Sequence, residues 1–178
     1  MSELRVGTSG WQYKHWKGRF YPKDLPTARW LEYYTRIFDT VELNNPFYRQ
    51  PERKTFEKWR RSVPDDFVYA VKLNRFITHI KRLNIERDSV ERSYGTLAGL
   101  GPKAAVVLVQ LPPRMKFDQA RAERFFKMVA PPLVGESVVV RIEMVVVFPA
   151  PFGPSSTKNS PGFTWKEMPS TAFVSAFL

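Results

Sequence analysis

Three side chains able to hold or move charge, Glu42, Lys72 and His79, stand at or just beyond the ends of apolar runs. A carboxylate at such a position can serve as general acid or base, and an ammonium can hold an anionic group or stabilise developing charge. Histidine titrates close enough to neutrality to shuttle a proton. The densest of these stretches is Thr40–Tyr48, TVELNNPFY, in which Glu42, Asn44 and Asn45 put polar groups at the end of a four-residue apolar segment. Lys72 closes the run FVYAVKL in the same way, and Gln110 is the interior polar residue of AAVVLVQL. Asn44 and Gln110 would orient a substrate, with Trp11 and Tyr48 as stacking walls. The competing structural reading of Glu42 and Lys72 is a mutual buried ion pair that fixes strand geometry.

The runs that carry these residues read as strands alternating with helices. Leu4–Ser9 is a first strand, and Gly7 within it and Gly10 after it permit close backbone approach or a sharp turn. Trp30, Leu31, Tyr34 and Phe38 recur at helical spacing, with Thr27 as N-cap. Thr40–Leu43 is the second strand, and a helix over residues 52–62 turns Phe56 and Trp59 inward. Phe67–Leu73 alternates as a third strand, followed by a loop or short helix over 74–83 that carries Thr78 and His79. A helix over 86–98 leads to the buried strand 104–111, and Asp118 caps a last amphipathic helix to Val129. A repeat of about 30–35 residues suits parallel β/α units with right-handed crossovers. An eightfold barrel needs about 250 residues, so four units in the first 130 residues predict half a barrel or a smaller open sheet. In either, the carboxyl ends of the strands form the ligand-binding face.

Charge is unevenly placed. The net charge is +11, and residues 1–130 carry 25 basic against 14 acidic side chains, whereas residues 131–178 carry three of each. The excess predicts attraction to phosphate-bearing ligands or nucleic acid, or simply a basic solvated surface, because Glu and Asp interrupt it throughout. The loop from Trp11 to Tyr21 interleaves five aromatics with Lys14, His15, Lys17 and Arg19. That mixture can stack bases or sugars while neutralising phosphate, or cap one end of a core while the charges face water.

Several classes of chemistry are not expected. The chain has no cysteine, which excludes disulfides, thiolate metal sites and cysteine nucleophiles and suits a reducing cytoplasm. Two distant histidines without a carboxylate cluster at ligand spacing predict no metal centre. There is no Walker loop, GxSxG elbow or dinucleotide fingerprint, so no cofactor is expected, and GTSG at residues 7–10 is too short to cradle a phosphate by itself. The first residues lack the pattern of a signal peptide, and no apolar run is long enough to span a membrane. Oligomeric state is not legible.

Composition changes near Pro131. Residues 131–178 hold seven of the fifteen prolines, and beyond the strand-like VVVRIEMVVVF of 138–148 the tail shows neither helical nor strand periodicity. Proline at that density blocks both ladders and helices, so an irregular or disordered tail is expected.

Four segments in order, VGTSGWQYKHWKGRFYPKDLP, FDTVELNNPFYRQP, FVYAVKLNRFITHIKRL and VLVQLPPRMKFD, resemble successive motifs of the YecE-like family, also called domain of unknown function 72. The resemblance covers residues 4–128. It implies a (β/α)₈ barrel of the TIM type, here its first four or so units, and an activity that is unassigned. It also implies site positions at Ser9, Gly10 and Trp11, at Glu42, Asn44, Phe47 and Tyr48, at Lys72, Thr78 and His79, and at Gln110 and Pro112. Two departures stand out. Pro46 replaces a small hydroxyl residue, and the family's later strand motif of Glu and Arg two apart before a Ser/Trp pair is absent, Arg141 and Glu143 having the reverse order. The expected organisation is therefore an N-terminal half-domain over 1–130 and a tail over 131–178 that is disordered or non-native, through a frameshift or misjoined frame.

Three functions follow as expectations: a strand-end pocket for a small anionic or polar ligand, a basic aromatic nucleic-acid-binding module, or an inactive fragment lacking the second half of the site.

Overall fold

The computed structural model describes residues 3–113, 115–116, 118–129 and 172–177. Four parallel strands form its centre: β1 (Glu3–Ser9), β2 (Thr40–Leu43), β3 (Val68–Lys72) and β4 (Ala104–Leu108). They lie in chain order, β4-β3-β2-β1, without the reversal of strand order that marks a doubly wound sheet. A fifth strand, β5 (Ala172–Phe177), pairs antiparallel with the other side of β1, from Glu3 opposite Phe177 to Thr8 opposite Ala172. This corrects the expectation of an irregular tail for those six residues. AFVSAF contains neither proline nor glycine, so nothing in it obstructs a ladder, although its surroundings disguise it. The segment 138–148 lies outside the described residues.

Helices fill the crossovers. α1 (Trp30–Tyr34) follows a 3₁₀ turn at Thr27–Arg29, and α2 (Asn45–Tyr48) is one turn directly after β2. α3 (Arg53–Arg61), α4 (Arg87–Leu97) and α5 (Gln119–Val129) are longer, and each packs on the next. α1 is shorter than its apolar spacing predicts. It stops at Tyr34, which is fully buried and ties the sheet together. The Tyr34 hydroxyl accepts from the Thr8 amide at 3.0 Å and donates to the Thr40 carbonyl at 3.0 Å. Thr27 makes no side-chain cap, whereas Asp118 does, its Oδ1 accepting from the Arg121 amide at 3.0 Å.

Sheet parity decides which side chains reach the core and which reach the site. Val41, Leu43, Tyr69 and Val71 are essentially inaccessible and share a core cluster with Phe56, Leu31 and Trp30 from the helices. Ser9, Glu42 and Ala70 occupy the opposite parity in register, and Lys72 follows Ala70 on the same side. β1 and β2 approach so closely that a Cβ on Gly7 would stand 2.2 Å from the Thr40 carbonyl oxygen. Among the described residues no helix is long and apolar enough to cross a membrane.

Candidate functional site

The carboxyl ends of β1, β2 and β3 open onto a cavity of about 470 Å³. Of the residues singled out in the sequence, Ser9, Trp11, Asn44, Tyr48 and Lys72 line it, together with Gln12, Tyr13 and Asn45. Gly10 makes the turn into this wall at φ +93°, a conformation that suits glycine and little else. Gln12 is not singled out by sequence reasoning, and Tyr13 enters it only as one of the five aromatics of the Trp11–Tyr21 loop.

A chain of polar contacts runs beneath the cavity. Asn44 Nδ2 donates to Ser9 Oγ, and Ser9 Oγ donates to Glu42 Oε1 at 3.3 Å. The Tyr13 hydroxyl donates to the Ser9 carbonyl. Glu42 itself is 7% exposed, and burial holds its proton affinity above the ordinary carboxylate value although Lys72 and Ser9 both pull the other way. Lys72 Nζ is 4.0 Å from Glu42 Oε1 and 5.0 Å from the Phe47 ring centroid. At 4.0 Å the pair attract one another without the short contact of a hydrogen-bonded ion pair.

The next ring along is His79. Its imidazole stands edge-on to Phe47 at 5.0 Å, and Nδ1 lies 2.9 Å from Thr78 Oγ1. Because the Thr78 hydroxyl donates to the Asn74 carbonyl at 3.3 Å, it accepts from Nδ1–H and leaves Nε2 as the basic nitrogen. Partial burial, then Lys72 and Arg75, keep the His79 ring below its usual pKa, so it is neutral at neutral pH. Thr78 is fully buried and shapes this tautomer, and neither Thr78 nor His79 lines the cavity. Gln110 lies two residues past β4 and does not line it either.

His79 rides on a π-helical turn, Phe76–Ile80, closed by the Lys81 amide on the Phe76 carbonyl at 2.8 Å. Arg82 and Leu83 follow at φ 50° and 66°, a left-handed pair without glycine. π-turns and such residues concentrate where function or tertiary packing dictates the backbone. Pro46, the departure noted in the sequence, is buried at the start of α2, and its carbonyl accepts from Asn74 Nδ2 at 2.8 Å. The proline thus braces the β2 loop against the π-turn.

The aromatic loop is taken up by the core. Trp11 and Tyr21 are buried, Tyr21 stacks on Trp30 at 4.5 Å, and Trp16 and Phe20 pack against the same cluster. Lys14, Lys17 and Arg19 remain exposed.

Comparison with known proteins agrees with this architecture. UPF0759 protein YunF of Bacillus subtilis is 31% identical over 116 residues, which cover 62% of this chain and 40% of that protein. UPF0759 protein YecE of Escherichia coli is 32% identical over 82 residues, covering 46% and 30%. A crystal structure of a DUF72 family protein from Thermotoga maritima superposes with a TM-score of 0.54 at 29% identity, over 69% of this chain and 49% of the other. One from Enterococcus faecalis, at 16% identity and TM-score 0.57, shares the fold over 73% and 47%. The chain therefore spans less than half the length of the curated relatives and about half that of the solved ones. Its match to the family described as "Protein of unknown function DUF72" runs over residues 5–143, beyond the residue-128 limit of the four motifs. The chain belongs to that family.

Proposed function

We propose that this chain binds a small anionic ligand in the cavity over Ser9, Asn44 and Lys72, with Glu42 as the acid–base group beneath it and His79 as a neutral base beside Phe47, outside the lining. The observation that carries the reading is the state of Lys72. Its ammonium is largely buried at the cavity wall, yet among the described residues it makes no hydrogen bond, and its nearest carboxylate oxygen is 4.0 Å away. An ammonium has three protons to place, and leaving them unplaced in a partly dry site is costly. An anion entering the cavity would take them. We infer further that residues 1–130 are the first four β/α units of a barrel-type domain, followed by a separate tail over 131–178, and that the cysteine-free chain works in a reducing cytoplasm.

Thermal-shift titration with phosphorylated and carboxylated metabolites tests the site. Anions should raise the melting temperature of the native chain and fail to do so in Lys72→Met. If a reaction follows binding, Glu42→Gln should abolish turnover while retaining the shift. Equal shifts in the native chain and Lys72→Met would end the proposal. A nucleic-acid module would instead bind oligonucleotides with a steep salt dependence that Lys14, Lys17 and Arg19 control.

A further inference from the structure

We propose that the ligand of this cavity carries a planar ring joined to its acid group, as in an aryl phosphate or aryl carboxylate, with the acid on Lys72 and the ring on Tyr48. The inference rests on the reading that Lys72 holds an anion, and adds what the rest of the molecule must be.

Tyr48 lines the cavity and is nonetheless 71% exposed, more than any other large hydrophobic residue described. It is not a loose end. It closes α2, which is anchored at its start by the buried Pro46 and its bond from Asn74. Phe47 stands perpendicular to Tyr48 at 5.0 Å and also lies 5.0 Å from the Lys72 ammonium. One buttressed side chain therefore sets both the cation and the exposed ring, and the two stand on adjoining sides of it. Phe47 meets Tyr48 edge to face, and among the described residues no ring stacks on Tyr48.

Tyr13 lines the same cavity. It is half-buried, packs on Trp16 at 4.9 Å and is held by its bond to the Ser9 carbonyl. A ligand whose acid met Lys72 would share the cavity with both tyrosines. Fixed rings give a flat π-system an offset-stacked or edge contact that a saturated ring of equal size cannot make. Holding both tyrosines in place beforehand removes the ordering cost of that contact.

Calorimetric titration of the full chain with phenyl phosphate, cyclohexyl phosphate and inorganic phosphate decides the matter, with benzoate and cyclohexanecarboxylate as the carboxylate pair. In at least one pair the planar member should bind roughly five- to tenfold tighter than its saturated counterpart. Tyr48→Ala, at an exposed position, should erase that gap, and Tyr48→Phe should keep it. Equal binding of planar and saturated acids would overturn the ring inference and leave the anion reading standing. A gap that survives Tyr48→Ala would overturn it as well. Failure of every acid to bind the native chain would sink the anion reading itself, and this inference with it.

Discussion

Glu42 is where burial and charge work against each other within a single residue. The carboxyl is nearly inaccessible and its proton is held above the ordinary value of 4.5, burial outweighing the pull of Lys72 and Ser9. The sign of the resulting pH dependence follows directly. A carboxyl that binds its proton more tightly in the folded chain favours folding fully below pH 4.5, and that contribution is lost as pH rises through the folded value. Glu42→Gln, which keeps the shape and removes the titration, should flatten the stability curve above pH 4.5 and melt no lower than the native chain at neutral pH. Thermal melts across that range check this, and a curve unchanged by the substitution would show that Glu42 does not titrate there. His79 acts in the opposite sense, since its lowered pKa withdraws stability as pH falls below its ordinary 6.5. The sequence shows both residues plainly, because a charge at the end of an apolar run stands out. It does not show that Thr78 sets the histidine tautomer, a matter of local backbone geometry in a turn of unusual pitch.

Between elements, the legible parts are those whose signal lies within their own residues. β2 occupies the four residues that its apolar run predicts, and α3 lies within one residue of its predicted ends at each side, because burial pattern alone specifies them. α2, the π-turn and β5 are not legible. α2 and the π-turn depend on each other through the Pro46–Asn74 bond, and β5 depends on an edge of β1 from which it is separated by most of the chain. Lys103 is another such case. In sequence it looks like one more surface charge. In the structure its ammonium donates to the carbonyls of Arg60, Val63 and Pro64 at 3.1, 2.8 and 2.7 Å and so ends α3. Its removal would take the ammonium from the buried Val63 carbonyl, whereas the Pro64 carbonyl would keep the Phe67 amide. Lys103→Met should therefore cost about 2–4 kcal/mol in urea denaturation. A loss under about 0.5 kcal/mol would mean that water replaces the ammonium at the helix end.

On the scale of the molecule, the sheet has two outer edges of different character. β1 is paired with β5 on its far side, whereas no described residue pairs with the outer edge of β4. A parallel strand with an open ladder is a template for association. Sedimentation velocity of the full chain should show association that increases with concentration. Ala105→Lys, at the bulge where Ala105 is skipped in the β3–β4 register, should shift the population towards monomer. Profiles independent of concentration would indicate that this edge is covered.

The antiparallel β5 has a consequence for the proposed barrel reading. A barrel of this type closes by seating its last strand parallel to its first. Six residue pairs, from Glu3–Phe177 to Thr8–Ala172, already occupy that seat in the opposite direction. If residues 1–130 are the first units of a barrel, as proposed, the ring cannot close on β1 until Ala172–Phe177 has been peeled away from it.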